Sequence, residues 1–127
     1  MPIIRLMQES QAQGKVKVVF DDIKTTLGVP FVPSLFLALG SRPDQLEAIW
    51  IQVKGLFGSG TLDMKTKTLA ALAVAAALRS PYFVTIHSMA LKRLGTTDEE
   101  IAEILEIASL TTGLNTLVSG LGLEPEF

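Results

Sequence analysis

Residues 67–87, KTLAALAVAAALRSPYFVTIH, decide the fold. The ten-residue apolar run from Leu69 to Leu78 is built largely of alanine, the best helix former and a residue small enough to let neighbouring backbones approach closely. The run is far shorter than the roughly 18 residues that argue for a membrane span, so it reads as the central, buried helix of a core. Pro81 cannot continue that helix and is well placed to begin the next, which the spacing of Phe83, Ile86, Ala90 and Leu94 extends to a stop at Gly95. His87, the single histidine of the chain, lies on this following helix.

Outward from this stretch the periodicity stays helical. Val16, Val19, Phe20, Ile23 and Leu27 form one face of a first helix with Gly28 at its C-terminal end. Val29-Pro30-Phe31-Val32-Pro33 interrupts, and a short helix from Ser34 to Leu39 follows, capped by Ser34 and stopped by Gly40. Ser41 caps a third helix, with Pro43 in its first turn and Leu46, Ile49, Trp50, Val53 and Leu56 on one face. Gly55, Gly58 and Gly60 are expected to loosen the chain into a connector, and no lysine or preceding strand supports a phosphate loop there. Asp63 opens the alanine-rich helix. Thr97-Asp98-Glu99-Glu100 is a capping box that starts a sixth helix, and Leu110 to Leu123 either continues it or forms a seventh. No stretch alternates with period two, so the expected fold class is all-α, a bundle of about six to seven helices. The 127 residues fit a single domain, 1–127, with 1–14 as an N-terminal arm.

Composition bounds the function classes. Nearly half of the residues (48%) are hydrophobic, an excess that predicts surface hidden between subunits. The net charge of -2, with basic residues scattered, offers no stripe for nucleic acid or an anionic membrane. The N-terminus lacks the basic start and cleavage site of a signal peptide, so a cytoplasmic protein is expected, with no nucleic-acid or membrane partner. Without cysteine there is no thiolate metal site and no redox dithiol. The carboxylates Glu99, Glu100, Glu103 and Glu106 read as a solvated helix face. With one histidine in the chain, no metal site is predicted beside them and no cofactor is implied.

Lys67-x-Leu-x-Ala-Leu-Ala-Val-Ala-Ala76, the turn, His87 and Leu94-Gly-Thr-Thr-Asp-Glu-Glu-Ile-Ala-Glu103 together resemble the carboxymuconolactone decarboxylase and alkylhydroperoxidase D superfamily, most strongly from Leu62 to Leu110. Asp21 to Val32 and the Leu46 to Trp50 helix also resemble the repeated helical unit of group I 2-haloacid dehalogenases. The resemblance implies an all-helical fold and assembly as a homo-oligomer, a trimer or hexamer whose central helices pack across subunits. It also implies where a site would lie. The peroxidase branch carries Cys-x-x-Cys-x-x-x-His with a glutamate twelve residues upstream; here those positions hold Ser80, Phe83, His87 and Thr68. Only the histidine matches. A serine without a base is a weak nucleophile and phenylalanine cannot resolve a sulfenic acid, so thiol peroxidase chemistry is not expected.

Two readings follow. In the first, the protein is a non-catalytic or small-molecule-binding oligomer, with Thr68, Ser80 and Tyr82 as candidate ligand-binding residues. In the second, it is a cofactor-independent lyase or hydrolase-like enzyme acting on a small organic acid or lactone, with His87 as acid-base group. An unperturbed imidazole titrates near pH 6.5, which suits that role. Against both stands a structural reading in which Ser80 caps the helix after Pro81, Tyr82 is a packed ring and the His87 imidazole bonds a neighbouring carbonyl. Helical geometry puts a rise of about 10 Å between Ser80 and His87, too far for a serine–histidine pair on a continuous helix. Dehalogenation needs a carboxylate or asparagine held over an activated water, and the sequence singles out no such residue.

Overall fold

The computed structural model describes residues 2–127. Six α-helices form in chain order: α1 (Gly14–Leu27), α2 (Ser34–Ala38), α3 (Pro43–Gly58), α4 (Met64–Ala77), α5 (Pro81–Arg93) and α6 (Asp98–Leu121), preceded by a 3-10 turn at Glu9–Gln11. No strand occurs among the described residues. The helices divide between two compact units, one ending at Gly60 and the other running from Thr61 to Phe127.

The first unit is built on α1 and α3. Val16, Val19, Phe20 and Ile23 bury one face of α1 against Leu46 and Trp50 of α3, with Val32 and Phe36 closing the core. The spacing of the apolar positions selected these faces correctly as far as Val53, which packs against the core, while Leu27 and Leu56, nearer the helix ends, are exposed. Gly28 ends α1 in the left-handed conformation that glycine adopts without a Cβ penalty. Gly40 has a different job from the helix stop expected of it. A Cβ there would lie 2.7 Å from Cβ of Met7, so the missing side chain lets the N-terminal arm close on the helices. The arm is tied down further by the Met7 amide donating to the Leu37 carbonyl and by Glu9, which accepts from the Val32 amide and pairs with Lys24.

Several boundaries differ from the sequence reading. Pro33 and Arg42, not Ser34 and Ser41, occupy the N-cap positions of α2 and α3, and neither forms a side-chain cap. Gly55 and Gly58 lie inside α3 instead of a connector. Glycine costs a helix only about 1 kcal/mol relative to alanine, which the packing around Leu46 and Trp50 outweighs.

In the second unit, α4 is central: α5 and α6 both pack on it. Its alanines permit this double contact, and Leu72, Leu91 and Ile101 form the core. Asp63 caps α4 by accepting from the Thr66 amide at 2.8 Å. The capping box at Thr97 and Glu100 forms as expected, and Glu100 also pairs with Lys65 of α4 at 2.7 Å. Residues 110–121 continue α6 without a break. This makes α6 long and apolar enough to meet the length and composition of a membrane span, with a mean hydropathy of 1.3 over its most apolar window. That length was hidden from a reading based on uninterrupted apolar runs. Its first half, however, packs Ile101 and Ala108 into the helical unit.

Candidate functional site

The start of α5 holds Ser80, Tyr82, Phe83 and His87, whereas Thr68 lies in the first half of α4. Arg79 turns the chain with a φ of 56°, the sole non-glycine residue in the left-handed region among those described. Ser80 then caps α5, its Oγ accepting from the Phe83 amide at 3.3 Å, and Pro81 takes the first helical position, where its missing amide hydrogen costs nothing. One turn of α5 sets Phe83 and His87 on the same face, and their rings stack with centroids 5.6 Å apart and planes inclined by 17°. Tyr82 meets Phe83 edge to face at 5.1 Å. Tyr82, Phe83 and His87 thus form a short aromatic row, with Tyr82 and Phe83 exposed to solvent and His87 half-buried.

Burial alone acts on His87. It pushes the imidazole below its ordinary value by disfavouring the charged form, and no carboxylate or other charge opposes it. The expected hydrogen bond to a neighbouring carbonyl is not formed among the described residues; the contact found is the Phe83 ring. Nor does Ser80 reach it, since the serine oxygen is engaged at the helix start. Thr68, on α4, is buried and spends its hydroxyl on its own helix, donating to the Met64 carbonyl at 2.7 Å. The site therefore offers a neutral, weakly basic imidazole with an aromatic neighbour. Ser80 and Thr68 are engaged by the Phe83 amide and the Met64 carbonyl.

No group of three or more acidic or histidine side chains is arranged to hold a metal among the described residues. One polar cluster escaped the sequence reading. In the first unit Trp50, buried in the core, donates through Nε1 to Asp22 at 2.8 Å, and Lys54 pairs with the same carboxylate at 2.9 Å. These two donors, the indole first, hold the Asp22 carboxyl below the usual carboxylate range. The signal for it was present: a buried indole must find an acceptor, and Asp22 stands next to the core position Ile23 on α1. Both Asp22 oxygens face Lys54 and one accepts from Trp50, so the cluster joins α1 to α3 as a tie.

Comparison with known proteins agrees with the all-helical fold. The model of the carboxymuconolactone decarboxylase family matches residues 43–123. Over 96% of its length the chain is 31% identical to an (R)-2-haloacid dehalogenase of Pseudomonas putida, and over 44% of its length it is 38% identical to uncharacterized protein 4 in the cox locus of Paracoccus denitrificans. It spans 40% and 50% of those two relatives respectively. The crystal structure of the alkylhydroperoxidase AhpD core from Rhodospirillum rubrum superposes with a TM-score of 0.92 at 34% identity, covering 99% of this chain and 95% of that one. With the family model matched over more than half of its residues and the helical fold shared throughout, the chain belongs to the carboxymuconolactone decarboxylase family.

Proposed function

We propose that this protein is a member of the family without thiol peroxidase activity, binding a small organic acid or lactone at the α4–α5 corner without transforming it. The observation that carries the reading is the commitment of each candidate group to structure: Ser80 caps α5, Phe83 stacks on His87, and Thr68 bonds the Met64 carbonyl. No thiol is present to reduce a peroxide. The exposed Tyr82 and Phe83 rings supply an apolar platform, and the imidazole edge a hydrogen bond, for a ligand carrying a carbonyl or carboxyl group. Peroxide consumption in the presence of a dithiol reductant is expected to equal that of buffer, and protein-dependent turnover would refute the claim. A screen of small carboxylic acids and lactones by thermal shift should find a stabilising ligand, since binding the folded state at 100 times Kd adds about 2.7 kcal/mol. Loss of that shift in Tyr82→Ala, with the melting point otherwise retained, would place the ligand at the corner.

One observation favours the lyase reading as the alternative. An imidazole kept neutral by burial is in the form that abstracts a proton, and among the described residues no hydrogen bond engages its nitrogens. The substrate would then be a small lactone or 2-substituted acid, with His87 taking and returning the proton. His87→Gln separates the two: turnover of such a substrate by the wild type and its loss in the variant, with ligand binding kept, selects the enzyme.

A further inference from the structure

We infer that the ligand taken at the start of α5 is an aryl carboxylate, with its ring against Tyr82 and Phe83 and its carboxylate paired with Arg79. The inference rests on the reading of that corner as a ligand site and adds the residue that selects the ligand's charge.

Arg79 stands where a glycine would cost less. The last turn of α4 closes with the Arg79 amide donating to the Ala76 carbonyl and the Ser80 amide to the Ala75 carbonyl, an ending in which the residue that turns left-handed is most often glycine. Arg79 takes that conformation, with a φ of 56°, despite carrying a Cβ. A non-glycine residue held there points to a use for its side chain, and such outliers gather at ligand clamps. Nothing inside the protein supplies that use. Arg79 is exposed, and among the described residues no hydrogen bond or ion pair engages its guanidinium. Its surroundings in sequence explain this: residues 64–97 hold no aspartate or glutamate, while Lys65, Lys67, Arg79, Lys92 and Arg93 fall within them. Lys65 and Lys67 lie in the first turn of α4 and Lys92 and Arg93 in the last turn of α5, so Arg79 is the one charged residue of the α4–α5 connection.

Two residues further on, past Ser80 and Pro81, the chain presents its rings. Tyr82 and Phe83 are 38% and 39% exposed and meet edge to face, and Phe83 has His87 stacked on one side. Their open faces and edges receive another aromatic ring in the offset or edge-on arrangements that such rings prefer. The planar guanidinium forms two parallel N–H···O bonds with a carboxylate, which fixes the acid's plane as well as its charge. His87 adds no second positive charge, because burial disfavours its charged form, so the single cation matches a monoanion and not a phosphate dianion. A lactone leaves Arg79 unused, and a saturated acid forgoes the ring geometry. An aryl carboxylate uses both.

The test titrates the intact, isotope-labelled protein with sodium benzoate, benzamide, cyclohexanecarboxylate and γ-butyrolactone, following backbone amide shifts by NMR. Benzoate is expected to shift the amides around Ser80 and Phe83, and to bind several-fold more tightly than cyclohexanecarboxylate and roughly five- to tenfold more tightly than benzamide. Arg79→Gly should weaken benzoate by the same roughly five- to tenfold and leave benzamide unchanged. Because glycine relieves the left-handed backbone, this variant keeps its fold, and a loss of binding is a loss of the pair. Arg79→Lys, which keeps the charge without the fork, should fall between the two. Equal benzoate affinity in the wild type and Arg79→Gly overturns the inference, as does equal wild-type affinity for benzoate and either of its two analogues. A wild type that takes the lactone and no acid also overturns it and leaves the ligand reading of the corner standing; one that takes none of the four compounds removes both.

Discussion

His87 has a sign that a titration can read. Its folded-state pKa is lowered by burial, so the unfolded chain binds the proton more readily. The stability it contributes is fully present above the unfolded value near 6.5 and is lost as pH falls through the folded value. Unfolding free energy should therefore drop between pH 7.5 and pH 5 in the wild type, and the drop should shrink in His87→Gln. Equal slopes in urea titrations of the two proteins would show the imidazole to be unperturbed. Arg79 makes a second prediction. A non-glycine residue in the left-handed region costs about 1–2 kcal/mol, while glycine returns about 0.5–1 kcal/mol of that in unfolded-state entropy, so Arg79→Gly should stabilise by about 0.5–1 kcal/mol. Arg79→Val should destabilise instead. The roles of these residues were only partly legible in sequence. Spacing placed Ser80 at a cap and His87 one turn from Phe83, because helical periodicity is a local property. The stacking of His87 on Phe83 in place of a carbonyl bond depends on rotamers that spacing does not encode.

At the scale of elements, the apolar faces of α1 and α3 were read nearly complete and helix ends less well, while the core face of α5 falls on Leu91 and Val84, with the expected Phe83 and Leu94 exposed. Asp63 and Thr97 cap where expected because a short polar side chain before an apolar run has one good use. Pro33 and Arg42 displaced Ser34 and Ser41 because a boundary moves by a residue at little cost where no cap bond forms. Long-range ties stayed hidden. Nothing local links Met7 to Gly40 or Asp22 to Trp50, and each pair meets only once the arm and α3 fold onto α1. Gly40→Ala should cost about 1–3 kcal/mol by overpacking against Met7, and Met7→Ala in the same chain should recover part of it. Chemical denaturation of the single and double variants checks this; additivity would deny the contact. Trp50→Ala should cost about 3–5 kcal/mol, and Trp50→Phe less, since it keeps the edge-on packing with Phe36 and forgoes the bond to Asp22.

For the whole molecule, the distribution of apolar surface matters more than its amount. The hydrophobic excess in the composition is not spent inside the two units, whose cores centre on the α1–α3 pair and on α4. It lies at exposed positions of α1, α3, α4, α5 and α6 alike, such as Val18, Ile51, Val74, Met89 and Leu110, and residues 109–123 are exposed without a break. An excess is legible as a number in the sequence, but the extent of that last stretch required knowing that α6 runs unbroken through Gly113 and Gly120. A helix with so little cover should exchange its amide hydrogens faster beyond Ala108 than before it, and hydrogen exchange resolved along α6 measures that difference directly.

The cap at Ser80 carries one more consequence. Its oxygen sits at the positive end of α5, receiving the Phe83 amide, and such a position stabilises negative charge whatever atom bears it. A sulfur placed there by Ser80→Cys, in a chain with no other thiol, should ionise below the ordinary cysteine value of about 8.5, visible as thiolate absorbance and as faster alkylation. The corner supplies the electrostatics that would acidify a nucleophile and, with serine in place, spends them on a helix cap.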